Sequence, residues 1–577
     1  MPASQSQADA VGPASGRPSS YLSNFVPKLI IALREGYTAG HFVNDAMAGL
    51  TVAILALPLS MAIAIGAGVS PDKGLITSVV AGFLISALGG SRFQVGGPAA
   101  AFIVIIASLI AKHQFSGMLT ATFLAGFILV IAALLRLGTY IKYVPGPVIL
   151  GFTSGIGIII AISQLKDALG FKADMPAEVI EKVEQLWAVR DQLNIWAVAA
   201  TLTTLALIGI MRRLSPRIPG LLVAVGGVSL GCYLLGINVE TIGSRFGGIP
   251  NALPKPELPD LSWKKIVEVL PSTFTIAFLI GIESLLSAVA ADAKTGGRHR
   301  SNAEVMAQGI ANIASPLFGG MPATGVIART GTNITAGAKT PVAGVLHAAF
   351  VLLFMLLLAP LASYLALPCL AAVLLNVSWR LIDYREVSHF LQRAPTDDRL
   401  VLLATLILTV VVDLNVAIAV GVVMACILFM HRMAEATTGG LAAPSTPHDD
   451  NDEGPRSAIL DMKLPKDVSV FQLSGPLFFG GAGAIADSVR GLGSFPRVLI
   501  LRMREVPLVD ATALSALEDL ALECRKRGCR IVMSGLQRQP REAMHRMGLL
   551  RRHKVILTSN SYVALEKAKM LLGDDSR

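Results

Sequence analysis

The segment Phe318-Gly-Gly-Met-Pro-Ala-Thr-Gly-Val-Ile-Ala-Arg-Thr-Gly-Thr-Asn-Ile-Thr335 constrains this chain more than any other. It lies among long apolar runs, yet it is too short and too glycine-rich for an ordinary membrane span. Arg329 is the only charge between Glu304 and Lys339. A second segment, Arg92-Phe-Gln-Val-Gly-Gly-Pro-Ala-Ala-Ala-Phe-Ile-Val104, follows the same pattern: an extended stretch, Gly-Gly, a proline, then a short apolar helix. On that pattern Gly96, Gly97 and Pro98 match Gly319, Gly320 and Pro322. A broken helix in lipid leaves backbone groups unpaired, which is tolerated only around a protected cavity. Interrupted segments in matching halves of a membrane protein point to a transport site. The expectation is that Pro98 and Pro322 open two half-helices whose N-termini face each other across an anion.

The physics of such ends supports that expectation. A helix N-terminus carries amides with no intrahelical partner and about +0.5 of a charge. Two of them aimed at one cavity form an anion site without a basic side chain. Gly-Gly lets the backbone approach closely, and proline fits a helix start because its missing N–H is an orphan there anyway. Arg329, two turns beyond Pro322, adds a full positive charge. The candidate substrate-binding residues are Pro98, Ala99, Ala100, Ala101, Ala323, Thr324, Gly325 and Arg329. The alternative is a pair of helix breaks needed for packing, with Arg329 bonded to a structural acid.

Composition places these segments in a polytopic membrane protein joined to a soluble part. The chain has 577 residues, 53% hydrophobic and 15% charged, with a mean hydropathy of +0.62. The net charge of +10 does not call for nucleic acid, because the basic residues cluster in short loops between apolar runs. The cysteines, Cys232, Cys369, Cys426, Cys524 and Cys529, suggest neither a disulfide framework nor a metal site. Nothing resembles a nucleophile–base pair or a cofactor site, so an enzyme is not expected. The Pro-, Ser- and Ala-rich start reads as a disordered cytoplasmic tail rather than a secretory signal.

In order, residues 1–38 read as that tail plus an interfacial helix near Phe25–Glu35, 39–433 as the membrane domain, 434–456 as a linker and 457–577 as a soluble α/β domain. The membrane domain offers spans near 46–65, 75–88, 117–135, 144–165, 192–211 and 218–235, with the first half-helix between the second and third. After a polar loop at 240–265 come spans near 269–291, 303–317, 341–364, 368–379, 399–412 and 415–430, with the second half-helix among them. That makes seven segments on each side, 14 in all. Loops holding Arg136 and Lys142, then Arg212, Arg213 and Arg217, then Lys294, Arg298 and Arg300, then Arg380, Arg385 and Arg393 fall on one side. The positive-inside bias makes that side, and both termini, cytoplasmic.

Glu283 is the only charge between Glu268 and Asp292, inside an apolar span. A mid-membrane acid costs about 2.5–3.5 kcal/mol on insertion scales, which makes it a functional candidate. Ser287 lies one turn on, on the same face. Together they could hold Na⁺ through oxygen ligands, or Glu283 alone could carry H⁺; the alternative is a counter-ion for Arg329. Asp45 and Asp413 sit at span edges, where helix capping explains them. In the soluble domain, strands are expected at Ala458–Met462, Val468–Leu473, Val498–Leu501 and Arg530–Met533, with helices at 481–492, 512–527, 539–547 and 559–572. There Asp510 fits a helix N-cap. Thr512 offers a hydroxyl in the first turn, where a phosphate would be favoured.

With these residues in view, the chain resembles the SulP family of sulfate permeases and related anion transporters over about residues 40–570. The resemblance rests on Asp45-Ala-Met-Ala-Gly-Leu-Thr-Val52, Gly89-Gly-Ser-Arg-Phe-Gln-Val-Gly-Gly-Pro98, Glu283-Ser-Leu-Leu-Ser-Ala288 and Pro322-Ala-Thr-Gly-Val-Ile-Ala-Arg-Thr-Gly-Thr-Asn333. The C-terminal part resembles a STAS domain. The resemblance implies a seven-plus-seven inverted repeat with core and gate domains. It also implies an anion held between the third and tenth helices, and alternating access. Bacterial members carry sulfate, bicarbonate or dicarboxylates with H⁺ or Na⁺, in the inner membrane and commonly as homodimers. In related bicarbonate carriers an aspartate at the Glu283 position serves Na⁺. In STAS relatives the hydroxyl at the Thr512 position is phosphorylated; here Ala511 and Ala513 flank it, where relatives often carry Ser and Gly.

The expected function is therefore an ion-coupled carrier of small oxyanions, sulfate first. A bicarbonate or dicarboxylate symporter is the alternative within the class. A membrane-tethered sensor acting through a protein partner of its STAS domain is the alternative outside it. The partners expected are the anion, the lipid bilayer and a second copy of the chain, with no cofactor beyond the coupling ion.

Overall fold

The computed structural model describes residues 25–139, 145–173, 175–176, 178–214, 220–412, 414–438, 465, 467–478 and 496–574. Several expectations lie outside these residues: the tail before residue 25, Lys142, Arg217, Asp413, the linker from 439, the strand at Ala458–Met462 and the helix at 481–492. The chain divides into two compact units, Met1–Val422 and Val423–Arg577.

The first unit is helical. Short α1 (Lys28–Arg34) leads to α2 (Ala39–Gly66) and α3 (Pro71–Leu88). Strand β1 (Gly96–Gly97) and a 3₁₀ turn (Ala100–Phe102) precede α4 (Ile103–Leu134), which Gln114, at φ 60° and ψ −177°, breaks into two segments. Next come α5 (Gly146–Leu169), α6 (Val179–Ala188), α7 (Ile195–Leu214), α8 (Gly220–Leu234) and α9 (Ile242–Phe246). The second half holds α10 (Trp263–Thr295), α11 (Ser301–Leu317), strand β2 (Thr324–Gly325), α12 (Ile327–Thr335), α13 (Val342–Ala362) and α14 (Leu367–Ile382). It ends with α15 (Tyr384–Arg393), α16 (Thr396–Val411) and the start of α17 (Leu414–Thr438), which runs past Val422 into the second unit. Among the described residues, seven apolar segments precede the polar connection and seven follow, with α4 counted as two. Nine of the described helices are long and apolar enough to cross a membrane.

The packing repeats between the halves. Helix α13 packs on α2 and α3 as α4 packs on α10 and α11, and α14 packs on α7 as α5 packs on α16. Exchanging α2 with α10, α3 with α11, α4 with α13, α5 with α14 and α7 with α16 turns one set of contacts into the other. Lipid supplies no hydrophobic drive between helices, so close approach of small residues does the work. Gly126 of α4 and Gly309 of α11 show it: a β-carbon on either would lie 2.7–2.8 Å from the other's carbonyl oxygen.

Asp45 corrects the sequence reading. Helix α2 starts earlier, at Ala39, capped by Thr38, so Asp45 is not at its edge. It is fully buried and caps another segment. Its carboxylate accepts from Lys339 N at 2.7 Å, Thr340 N at 3.1 Å and Thr340 Oγ1 at 2.6 Å, just before α13. The helices α6, α9 and α15 were not anticipated.

In the second unit, β3 (Val468–Ser474), β4 (Val498–Glu505), β5 (Arg530–Ser534) and β6 (Ile556–Thr558) form one parallel sheet in that order. Alternate residues of β4 feed two apolar clusters. Leu499, Leu501 and Met503 join Leu514, Leu517 and Leu520 of the helix Ala511–Lys526. Val498 and Ile500 join Ala564, Leu565 and Ala568 of the helix Ser561–Asp574. A central parallel strand buried on both faces has this period-two division.

Candidate functional site: the crossing of two half-helices

Strands β1 and β2 pair antiparallel, with Gly96 opposite Gly325 and Gly97 opposite Thr324. Each strand runs into its own helix, so the helices leave from opposite ends of the ladder and their N-terminal tips face each other across it. A further bond, Val326 N to Val95 O at 3.1 Å, extends the crossing. Side chains satisfy the remaining backbone. Thr330 Oγ1 accepts from Val95 N at 3.2 Å, and Asn333 Nδ2 donates to Phe93 O at 2.9 Å. Asn312 bonds Ala323 in both directions at 2.8 Å. Irregular backbone at membrane depth requires this kind of protein cover.

The register changes the matching of the two segments. The local two-fold of the ladder equates Gly97 with Gly325, and hence Ala101 with Arg329, not Pro98 with Pro322. Gly319 and Gly320 terminate α11 rather than prepare α12: Gly319 has φ +69°, and Gly320 N donates to Ser315 O at 2.8 Å. Pro322 then lies in extended chain, and α12 begins at Ile327 after Val326. The first tip begins at Ala100, after Ala99 and two residues beyond Pro98. Pro98, Ala99, Ala100, Ala101, Ala323, Thr324 and Gly325 are all buried at the crossing.

Arg329 is 0% exposed. Its Nη1 donates to Ser78 Oγ at 3.1 Å and Gly96 O at 3.3 Å, and its Nη2 donates to Ser60 Oγ at 2.8 Å. The Nε–H has no partner among the described residues. All these acceptors are neutral, so the guanidinium charge is solvated by dipoles and not cancelled by an acid among the described residues. The suggested Glu283–Arg329 ion pair does not form.

Glu283 lies on the face of α10 that packs against both crossing segments. On that face Ile280 O accepts from Thr324 Oγ1 at 3.2 Å, and Ser284 O from Gln94 Nε2 at 3.1 Å. One turn on, Ser287 Oγ donates to Thr330 Oγ1 at 3.2 Å. Glu283 itself is half-buried and has no hydrogen bond or ion pair among the described residues. No group of three His, Cys, Asp or Glu side chains among the described residues could hold a metal ion.

Sequence reasoning missed Ser60, Ser78, Gln94 and Thr330, which carry much of the hydrogen bonding here. Polar residues inside otherwise apolar spans were the available signal. In the second unit, Asp510 accepts from Ala513 N at 2.8 Å as the N-cap of Ala511–Lys526, and Thr512 is exposed in the first turn.

The sequence matches the family model of the Sulfate permease family over residues 42–405 and that of the STAS domain over 460–561. It is 38% identical to the Bacillus subtilis (strain 168) protein named "Putative sulfate transporter YvdB", over 90% of this chain and 96% of that one. It is 30% identical to "Bicarbonate transporter BicA" of Picosynechococcus sp., over 89% and 92%. The solved transmembrane domain of a cyanobacterial BicA superposes with a TM-score of 0.60 at 28% identity, covering 68% of this chain and 98% of that one. The overall structure of SLC26A9 superposes at 0.82 and 18% identity, over 96% and 94%, and so shares the fold. Fold and site define a polytopic membrane transporter built on crossed half-helices, not an enzyme. The chain belongs to the sulfate permease family and carries a C-terminal STAS domain.

Proposed function

We propose that this chain is an ion-coupled secondary transporter of a small inorganic oxyanion, with sulfate as its substrate. The anion sits between the tips that begin at Ala100 and Ile327, against Pro98, Ala99, Ala101, Ala323, Thr324 and Gly325, with Arg329 behind them. Glu283, assisted by Ser287, carries the coupling ion. The observation that supports this most is the β1–β2 crossing, which sets two helix N-termini tip to tip beside a buried cation with no acid partner among the described residues. In an apolar surround such a cation and two helix ends create strong local positive potential. An unpartnered carboxylate beside them suits H⁺ or Na⁺ exchange.

The relative named for sulfate supports that anion. Bicarbonate is the second reading, favoured by the relatives and the solved transmembrane domain named for it. The charged loops support a cytoplasmic side for both termini in a bacterial inner membrane, with the chain working as a homodimer. Thr512 is the regulatory hydroxyl of the STAS domain, with Asp510 shaping its turn. Uptake of radiolabelled sulfate and bicarbonate into proteoliposomes, with pH and Na⁺ gradients imposed in turn, tests the reading. Flux of sulfate driven by one gradient is the expected result; no flux of either anion leaves the sensor reading in its place.

A further inference from the structure

The uncovered face of α12 carries no charged side chain. Ile327, Ala328 and Thr335 are exposed, and Gly331, Thr332 and Ile334 are half-buried, so small and hydroxyl side chains share it with two isoleucines. Lys294 overhangs this face. Its Nζ lies 3.5 Å from the point where a β-carbon on Gly331 would stand. Gly331 is one turn along α12 from the tip at Ile327. Lys294 also follows Glu283 by about three turns of α10, on the same helix face as Glu283 and Ser287.

The ammonium is free. Lys294 is exposed and has no hydrogen bond or ion pair among the described residues. The nearest acid in sequence, Asp292, is already engaged: its Oδ2 accepts from His299 N at 2.8 Å and lies 2.7 Å from His299 Nδ1. A cation in the last turn of a helix can serve merely to balance the helix end. That role needs no extension over a neighbouring half-helix.

We infer that Lys294 is an anion relay site: it holds the translocated oxyanion over Gly331, one turn from the tip, as the anion enters or leaves. The inference rests on the proposed transport function and adds a second station to its path. An ammonium above a face without acidic side chains gives the anion an intermediate partner. It would otherwise pass from water to the half-helix tips in one step. In the proposed orientation this station lies on the cytoplasmic side.

The test is radiolabelled sulfate uptake by full-length chain in proteoliposomes, with bicarbonate substituted should the wild type prefer it. At low ionic strength Lys294→Gln is expected to raise KM about tenfold, while Lys294→Arg stays within about twofold. The Lys294→Gln defect shrinks as salt is raised, because screening weakens a long-range attraction. Unfolding midpoints in detergent stay at the wild-type value for both variants. An unchanged KM and salt dependence in Lys294→Gln, with an active wild type, overturns the relay alone. So does a lowered unfolding midpoint shared by both variants, which marks a helix-end brace. A wild type inert towards both anions removes the transport reading and the relay together.

Discussion

A β-carbon on Gly97 would stand 2.0 Å from Nη1 of Arg329 and 2.8 Å from its Cζ. The guanidinium fills the space beside the β1 strand and donates to the carbonyl of Gly96. Glycine at 97 is therefore a condition for Arg329 to lie against the crossing. The charge is solvated by Ser60, Ser78 and one carbonyl, and its field at the helix tips is left uncancelled.

Gly97→Ala should push Arg329 out of this position and lower anion uptake by about 100-fold, the scale of loss for a displacement of about 1 Å in a positioned group. Uptake in proteoliposomes, beside a size-exclusion profile in detergent to check folding, reads the effect. Wild-type uptake by this variant would show that the Arg329 position is dispensable.

Glu283→Gln keeps the size of the side chain and removes the charge. This carboxylate, which has no partner among the described residues, is the proposed carrier of the coupling ion. The variant should lose gradient-driven accumulation of the anion while retaining exchange of labelled for unlabelled anion at equal concentrations. Accumulation that still follows the imposed pH or Na⁺ gradient would remove the coupling role.

Asp45 joins the second turn of α2 to the chain entering α13 through three short hydrogen bonds, and Tyr37 Oη donates a fourth at 3.2 Å. Asp45→Ala leaves the Lys339 and Thr340 amides and the Thr340 and Tyr37 hydroxyls without this acceptor, at a cost of about 3 kcal/mol. The expected result is a clearly lowered unfolding midpoint in detergent, with less folded protein recovered. An unchanged midpoint would mean that water replaces the carboxylate.

The sequence showed where the membrane path breaks, and it singled out Arg329 and Glu283 as charges without local excuse. Both signals are local: a charge or a Gly-Gly-Pro run stands out against apolar surroundings. The register of the crossing was not legible. Gly319-Gly320 imitates Gly96-Gly97 in sequence, but glycine serves helix endings as well as close approaches, and pairing alone tells them apart. Ser60 and Ser78 were overlooked because a lone serine in a span usually bonds its own helix. Ser60 does so, to Ala56 O at 2.6 Å, while also receiving Arg329. The partner of Asp45 lies almost 300 residues away, beyond any local pattern.

In the STAS domain, Asp510→Ala removes the cap on Ala513 N and should destabilise the first turn that carries Thr512 by about 1 kcal/mol. Hydrogen exchange on the full-length chain should show faster exchange at Ala513 and its neighbours, with the β4 and β5 amides unchanged. Equal protection at Ala513 would mean that the turn is held by other contacts.

Gly309→Val tests the packing of the two halves. The added branched side chain would meet the Gly126 carbonyl at 2.8 Å and Val130 at the same distance. Two of these atoms are backbone, so neither helix can yield by a rotamer change, and α4 and α11 must separate. Close backbone approach is what holds helices together in lipid, so the loss should exceed the 1–3 kcal/mol (about) of ordinary overpacking. Recovery of monodisperse protein in detergent should collapse for Gly309→Val, whereas Gly226→Val on α8, where a β-carbon meets nothing within 4 Å, should be recovered at the wild-type level. Equal recovery of the two would place the strength of the bundle elsewhere than at this glycine pair.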